Sequence, residues 1–178
     1  MLKDYLKYSP KIGEKTWIAE NTYIIGECMI GNDCGVWFGV TIRGDVNYIK
    51  IGDRSNIQDG SIIHVTHSKT ENKDEGYPTI IGDDVTVGHN VTLHGCQIGN
   101  ACLIGMSATL LDGCKIGEES VVAAGSVVTQ NKKFPPRSMI MGTPAKVVRQ
   151  LSKDEIENIY KSARNYISYK NDYLEMDK

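Results

Sequence analysis

The stretch Ile98-Gly-Asn-Ala-Cys-Leu-Ile104-Gly-Met-Ser-Ala-Thr-Leu110 decides the fold, because it carries an aliphatic residue at every sixth position. The same spacing runs outward through most of the chain, and its interruptions fall only between groups of three. The aliphatic positions are Ile12, Ile18, Ile24, Ile30, Val36, Ile42, Ile51, Ile57, Ile63, Ile81, Val87, Leu93, Ile98, Ile104, Leu110, Ile116, Val122 and Val128. A period of six with a larger unit of three is typical of a parallel β-helix, in which three short strands complete one triangular coil. We therefore predict an all-β solenoid, a left-handed parallel β-helix of hexapeptide repeats with about six coils.

A second column of the repeat supports a narrow core. Side chains alternate along a strand, so the residue four positions after each aliphatic should also point inward. That position is small nearly throughout, as at Thr16, Thr22, Cys28, Cys34, Val40, Val46, Ser55, Ser61, Val85, Val91, Cys102, Ala108, Cys114, Ser120 and Ser126. Glycine follows many of the aliphatic residues, as at Gly31, Gly82 and Gly105, where we expect the chain to approach a tight corner. A period of six does not fit the 3.6-residue period of an amphipathic helix.

Composition limits the functional classes. The chain has 178 residues, a length typical of one domain with a continuous core. Its 20 basic and 22 acidic residues give a formal charge of -2, so charge offers no case for binding nucleic acid or acidic membranes. We find no signal peptide, transit peptide or long apolar run, and we therefore expect a cytoplasmic protein.

Core packing accounts for most of the five cysteines. Cys28, Cys34, Cys102 and Cys114 fall in the small inward column on separate coils. Cys96 falls outside that column, and it is the one thiol for which the sequence leaves a functional role open. Because no two cysteines have C-x-x-C spacing, we do not expect a structural zinc site made of cysteines.

Two segments depart from the repeat. The polar segment 68–78 interrupts it and should be an exposed loop at one corner, either simply solvated or a mobile gate over a site. After Val128 a connector leads to a helix, at whose start Ser152 and Glu155 form a capping box. We therefore assign residues 1–150 to the β-helix domain with its connector. Residues 151–178 are assigned to a helix that buries its apolar face on the β-helix or on a neighbouring subunit.

Three of the four histidines lie in an informative register. His64 follows Ile63 and His94 follows Leu93, so both stand at the outward position after the third aliphatic residue of successive coils. Adjacent strands lie about 4.8 Å apart, so the two imidazoles can converge on one metal ion. His89 lies five residues before His94, and the about 16 Å of extended chain between them is too long for one coordination sphere. A neighbouring chain could supply His89 if three β-helices pack about a threefold axis.

Polar residues occupy the same columns one coil lower. Arg43 lies beneath His64, and Asp59 lies beneath His89, so the register permits an ion pair between Arg43 and Asp59 of neighbouring subunits. Three further residues could orient a metal-bound water or brace the arginine, namely Gln58, Asn56 and Asp45. The alternative for any one of these residues is an ordinary surface side chain at a corner. His67, where the loop departs, is explained as well by a loop histidine as by a proton shuttle.

These residues resemble the gamma-class carbonic anhydrases over nearly the whole chain, from Ile12 through the C-terminal helix. The matching motifs are Arg43-Gly44-Asp45, Asn56-Ile57-Gln58-Asp59-Gly60, Ile63-His64, Val87-Gly88-His89-Asn90 and Leu93-His94-Gly95-Cys96. The resemblance implies a homotrimer with a metal ion at each subunit interface, held by His64 and His94 of one chain and His89 of the next. It also implies reversible hydration of carbon dioxide to bicarbonate. Zinc is the expected metal, and iron(II) or cobalt could occupy the same imidazoles.

The resemblance also assigns supporting roles. It implies that Gln58 hydrogen-bonds the catalytic water and that Tyr166 matches a site tyrosine of the C-terminal helix, although Ser168 stands where the family has an asparagine. The residues implied to support the site and the interface are Arg43, Asp45 and Asp59.

The chain departs from the best-studied member of that family at two carboxylates that assist proton transfer. Val46 and His67 stand in their places, as in a shorter subclass of which some members are poorly active or inactive. Without those carboxylates the proton must pass to buffer or to one of His67, Glu71, Asp74 and Glu75.

Two other functions stay open. Many hexapeptide-repeat proteins transfer acyl groups from coenzyme A, and the segment Gly142-Thr143-Pro144-Ala145-Lys146 also occurs in them. An acyltransferase needs one histidine base, however, and gains nothing from three histidines in metal-compatible register. The other alternative is an assembly subunit that keeps the trimer and the metal without useful turnover.

Overall fold

The computed structural model describes residues 1–176, as a column of short strands with one long helix along its side. The strands, in chain order, are β1 (Leu2–Lys3), β2 (Lys11–Ile12), β3 (Trp17–Ile18), β4 (Tyr23–Ile30), β5 (Gly35–Val36), β6 (Thr41–Ile51), β7 (Asn56–Ile57), β8 (Ile62–His64), β9 (Thr79–Ile81), β10 (Thr86–Val87), β11 (Thr92–His94), β12 (Gln97–Ile98), β13 (Leu103–Ile104), β14 (Thr109–Leu110), β15 (Lys115–Ile116), β16 (Val121–Val122), β17 (Val127–Val128), β18 (Lys133–Phe134), β19 (Ser138–Gly142) and β20 (Ala145–Gln150). A 3-10 helix spans Lys73–Glu75, and helix α1 spans Lys153–Met176.

The strands stack coil upon coil. One sheet has the order β3-β5-β7-β10-β13-β16-β19-β20, in which all neighbours are parallel except the last pair. The chain is therefore a left-handed parallel β-helix with a C-terminal helix, as predicted. This sheet has 8 strands, so the prediction of about six coils is too low. The count is short because the six-residue spacing continues beyond Val128 through Phe134 and Ile140, which pair with Ile116 and Val122 on the coil before.

The register between coils agrees with the six-residue spacing. Ile63 pairs with Leu93, and Ile57 pairs with Val87, so aliphatic residues form continuous columns. Together with most of the small inward residues they make one core that solvent hardly reaches. Val46 is the exception: it was predicted to point inward, but its side chain is exposed. Each fully buried aliphatic side chain contributes about 1.5–3 kcal/mol to folding before the entropy cost is counted, so this column is the main source of stability.

The corners of the coils rely on left-handed backbone conformations. The third residue after the aliphatic position has a positive φ at most corners, and most of these residues are not glycine, as at Lys15, Asp33, Arg54, Asp84, Asn90, Ala101, Ser107, Glu119 and Asn131; Arg137 has the same place after Phe134. The glycines directly after the aliphatic residues serve a different purpose. A β-carbon on Gly82 would lie 2.4 Å from Oδ1 and 2.8 Å from the backbone nitrogen of Asn100 on the next coil. Such glycines therefore allow neighbouring coils to approach closely.

The loop between β8 and β9 is anchored to the strand beneath it. The Asn47 side-chain amide donates hydrogen bonds to the carbonyls of Thr66 and Lys73, both at 3.0 Å. The Tyr48 hydroxyl donates to Asp74 at 2.7 Å, and Lys73 forms an ion pair with Glu27. The segment 68–78 is largely exposed, as predicted, but its middle is held against β4 and β6.

Helix α1 begins at the predicted capping box and packs on the chain's own β-helix. The Glu155 amide donates to Ser152 Oγ at 3.2 Å, and the Ser152 amide donates to Glu155 at 2.9 Å. Ile159 is buried against the coils, and the buried ammonium of Lys170 donates to the Lys15 carbonyl at 2.6 Å. The predicted helix over 151–178 is confirmed for 153–176, and positions 177–178 lie outside the described residues. No helix within residues 1–176 has the length and apolar character to span a bilayer.

The five cysteines are all free and buried. Burial raises the pKa of Cys28 and Cys102 to about 12 and that of Cys34 to about 11. Cys96 is inaccessible to solvent, and a hydrogen bond with Cys114, together with burial, raises the pKa of its thiol well above the ordinary value. Cys96 is therefore a core residue, contrary to its assignment outside the inward column.

Replacement of glycine by alanine should lower the free energy of unfolding by different amounts at crowded and at open corners. Gly82→Ala should destabilise the protein by about 1–3 kcal/mol, because its methyl group collides with the next coil. Gly125 has a positive φ of 66°, but a β-carbon on it would meet no atom within 4 Å, so Gly125→Ala should cost only about 1 kcal/mol. Urea denaturation of both variants tests this order, and an equal or larger loss for Gly125→Ala would contradict it.

Candidate metal centre

His64 and His94 lie side by side at the ends of β8 and β11. The two residues are paired in the sheet register, as the repeat predicts. Their ring centroids are 5.1 Å apart, and His64 Nδ1 lies 3.1 Å from His94 Nε2. Two nitrogens bound to one tetrahedral zinc ion would be about 3.3 Å apart, given zinc–nitrogen distances of about 2.0–2.1 Å. The spacing of this pair therefore suits a shared metal ion.

A carboxylate holds the other ring nitrogen of each histidine. His64 Nε2 lies 3.1 Å from Asp45, and His94 Nδ1 lies 2.7 Å from Asp112. Asp45 also forms an ion pair with Arg43. Burial opposes ionisation of Asp45, but the hydrogen bonds from Arg43 and His64 outweigh it and hold the pKa of this carboxyl below its usual value.

These carboxylates decide which ring nitrogens carry protons. An ionised carboxylate only accepts hydrogen bonds, so Asp45 requires a proton on His64 Nε2 and Asp112 requires one on His94 Nδ1. The nitrogens that face each other are then both unprotonated in the neutral rings. Two lone pairs 3.1 Å apart repel unless a cation lies between them. Burial lowers the pKa of His64 and so favours the neutral ring, which is the form that binds metals.

His89 has the same arrangement on a different corner. Its Nδ1 lies 2.8 Å from Asp59, which leaves Nε2 free, and its side chain is 43% exposed. Within residues 1–176 of one chain, no group of three or more histidine, cysteine, aspartate or glutamate side chains is arranged to hold a metal ion. This agrees with the expectation from chain length that His89 cannot join His64 and His94 of its own chain at one metal ion.

Gln58, Asn56 and Tyr166 meet near His89. Gln58 Nε2 donates to Asn56 Oδ1 at 3.2 Å, and Asn56 Nδ2 donates to Thr86 Oγ1 at 3.0 Å. The Tyr166 hydroxyl is hydrogen-bonded to Gln58, and burial raises the pKa of Tyr166. The three residues His89, Gln58 and Tyr166 line one groove of about 480 Å³ between the coils and α1, whose other walls are mostly apolar. This groove can hold a small molecule beside His89.

The structure adds Asp112 to the predicted residues and separates others. Within one chain Arg43 pairs with Asp45 and Asp59 pairs with His89, so the proposed contact between Arg43 and Asp59 concerns a second subunit. His67 has no carboxylate partner among residues 1–176, unlike the other three histidines. The sequence prediction missed Asp112, although the register was an available signal: Asp112 follows Leu110 by two residues, and Leu110 pairs with Leu93 on the neighbouring coil. In the structure Asp112 lies over Gly95, where a β-carbon would be 2.3 Å from Asp112 Oδ1.

Comparisons with known proteins agree on fold and family. Residues 9–44 and 95–130 match the family model described as Bacterial transferase hexapeptide (six repeats), and residues 78–106 match Hexapeptide repeat of succinyl-transferase. The chain is 41% identical to a carbonic anhydrase of Geobacillus kaustophilus over 94% of this chain and 87% of that protein. It is 42% identical to mitochondrial gamma carbonic anhydrase 2 of Arabidopsis thaliana over 90% of this chain, which is 57% of that longer protein. A crystal structure of a putative acetyltransferase from Bacillus cereus matches with a TM-score of 0.92 and 38% identity, covering 98% of this chain and 97% of that one.

The hydrogen bond from His94 to Asp112 predicts the effect of one substitution. In Asp112→Asn the side-chain amide can donate to His94 Nδ1, so the proton of the ring should move to Nε2 and point at His64. Ring nitrogen-15 chemical shifts of the chelator-treated protein measure this change. Asp53→Asn is the control. Asp53 accepts a hydrogen bond from the Asn32 amide at 2.8 Å on another corner, so this substitution should leave the proton of His94 on Nδ1. A His94 ring that keeps its proton on Nδ1 in Asp112→Asn would contradict this account.

Proposed function

The chain belongs to the gamma carbonic anhydrase family, and we propose that it catalyses the reversible hydration of carbon dioxide to bicarbonate at a metal centre shared between subunits of a homotrimer. One observation carries this proposal. Each of His64, His89 and His94 gives one ring nitrogen to a carboxylate and keeps the other free, whereas His67 does not. Carboxylate–histidine pairs of this kind are typical of metal ligands, because they fix the tautomer and raise the basicity of the free nitrogen.

Three neutral imidazoles suit a catalytic zinc ion, which keeps its fourth position open. His64 and His94 of one subunit would hold the ion together with His89 of the next, and iron(II) or cobalt would suit the same donors. The bound ion supplies hydroxide at neutral pH, because it lowers the pKa of water from 15.7 to about 7. The histidines, their carboxylates and the groove beside His89 are the parts of this chain that the reaction needs.

Gln58 is the residue best placed to orient the attacking water. Its amide nitrogen is held by Asn56, which Thr86 holds in turn, so the amide has one orientation beside His89. The Gln58 amide also donates toward the Tyr166 hydroxyl, and this contact opposes the rise in the pKa of Tyr166 that burial causes. The apolar walls of the groove suit carbon dioxide, a molecule without a dipole.

Proton export is the step at which this chain differs from the best-studied pattern of its family. Val46 and His67 occupy the places of two carboxylates. Of the loop carboxylates, Asp74 accepts from Tyr48, and Glu75 accepts from the Thr70 hydroxyl, both at 2.7 Å. These contacts tie both groups into the loop, so His67, Glu71 and buffer are the better candidates for accepting the proton.

We also propose a reducing, cytoplasmic location. Five buried cysteines stay free, although Cys96 and Cys114 have their thiols in contact on neighbouring coils. Thiols in contact that remain unpaired are typical of reducing compartments.

Substitution of the histidines tests the proposed centre. His64→Ala, His89→Ala and His94→Ala should each lose most of the bound zinc and the hydration activity, because three ligands are the minimum for such a site. His67→Ala is the matched control and should keep its zinc. Metal analysis of purified protein and stopped-flow hydration of carbon dioxide measure the two properties.

Three outcomes separate the candidate functions. Zinc retained in His89→Ala but lost in His67→Ala would refute the ligand assignment. Bound zinc without measurable hydration would favour an assembly subunit. Acyl transfer from coenzyme A that is independent of metal would favour the reaction suggested by the name of the Bacillus cereus structure.

If Gln58 orients the water, its substitution should affect the hydration rate but not the binding of zinc. Gln58→Ala should keep the zinc and the subunit assembly, because the side chain holds no metal in this account, while hydration should fall by about 10-fold or more. Stopped-flow rates at matched zinc content measure the effect. Loss of zinc in Gln58→Ala would show that the residue supports the ligands instead.

A further inference from the structure

We infer that Thr79 is a positioning residue that sets the separation of the two stacked histidines, an inference that rests on the metal centre proposed above. Thr79 is the first residue of β9, where the chain returns from the exposed loop, and it is 0% exposed. It lies two residues before Ile81, as Thr16 does before Ile18, so it occupies the inward column of the repeat, and its hydroxyl reaches back 15 residues to His64.

The Thr79 hydroxyl joins the two histidine-bearing strands. It donates a hydrogen bond to the His64 carbonyl at 2.6 Å and accepts one from the Gly95 amide at 3.0 Å. Gly95 directly follows His94, so one buried side chain holds the backbone beside both histidines.

This bridge lies where the sheet would otherwise be weakest. The pairing of β8 with β11 ends at His64 and His94, because the chain leaves the coil after His64 to form the loop. The direct hydrogen bond from the Gly95 amide to the His64 carbonyl is 3.2 Å long, at the outer end of the usual range. Without the hydroxyl, this long bond would be the contact left between the two strand ends.

The separation of the strand ends sets the separation of the imidazoles. The facing ring nitrogens are 3.1 Å apart, and a metal ion tolerates only a few tenths of an ångström of change in this distance. Thr79 would therefore raise the affinity for the metal by positioning its ligands, without touching the metal.

The chain contains a matched control for this bridge. The Thr16 hydroxyl likewise donates to one carbonyl, that of Gly31 at 2.7 Å, and accepts from one amide, that of Cys34 at 3.0 Å. Both of its partners lie on one neighbouring coil, whereas Thr79 joins two coils. No histidine lies beside that bridge. Thr16→Val therefore removes an equivalent structural element without touching the proposed centre.

The experiment compares zinc affinity in Thr79→Val, Thr79→Ser and Thr16→Val, by competition with a chromogenic chelator. Thr79→Val keeps the shape of the side chain but removes both hydrogen bonds, and it should weaken zinc binding by about 10- to 100-fold. Thr79→Ser retains the hydroxyl and should bind zinc like the wild-type protein. Thr16→Val should lower the melting temperature while leaving zinc affinity within about threefold of wild type.

Hydrogen exchange of the Gly95 amide in metal-free protein tests the bridge without zinc. Exchange should accelerate in Thr79→Val and stay slow in Thr79→Ser and Thr16→Val. Equal zinc affinity in Thr79→Val and Thr16→Val would overturn the inference, as would unchanged Gly95 exchange. A wild-type protein that binds no zinc would refute the proposed function, whereas the exchange measurement would still decide whether Thr79 holds the strand ends.

Discussion

Hydrogen bonds between stacked coils hold neighbouring parallel strands about 4.8 Å apart, and both the core and the candidate site depend on this spacing. Because the register repeats from coil to coil, apart from a shift between β4 and β6, residues of one kind form columns. Inward columns of aliphatic residues fill the core, and an outward position in the same register places His64 beside His94. A slip of one residue would turn both histidines inward and destroy the core at the same time. The stability of the β-helix and the geometry of the site therefore share one cause.

The register of the coils places two imidazoles side by side. The neighbouring carboxylates then fix which nitrogen of each ring is available to bind a metal ion. Asp45 and Asp112 each accept from one ring nitrogen and leave the other free and facing its neighbour. Asp59 does the same for His89 on another corner of the coil. The arrangement places unpaired lone pairs together at a cost, and binding of a cation removes that cost. In the centre proposed above, a cation would lie between these lone pairs, and His89 of a second subunit would supply the third ligand.

The repeat explains what could be predicted from the sequence. The fold class, the helix with its capping box and the pairing of His64 with His94 all follow from local spacing, which the coils preserve. The number of coils was underestimated because the prediction ended the repeat at Val128, although Phe134 and Ile140 continue the spacing. Asp112 lies in register with Gly95, but the contact of its side chain with His94 depends on the backbone at that corner, and Thr79 reaches His64 through the closure of the loop. Cys96 was misplaced because Ile98 follows Leu93 by only five residues. Counted back from Ile98, it has the same inward place as Cys114 before Ile116.

Mixed trimers test most directly whether the centre is built from two subunits. A trimer that contains both His64→Ala and His89→Ala chains has one interface where an intact His64–His94 pair meets an intact His89, whereas His64→Ala mixed with His94→Ala has none. The two mixtures are co-expressed with different affinity tags, and heterotrimers are isolated by sequential purification. The account predicts about one zinc ion and partial hydration activity per heterotrimer in the first mixture and neither in the second. Equal zinc content in the two mixtures, or none in the first, would contradict a centre shared between subunits.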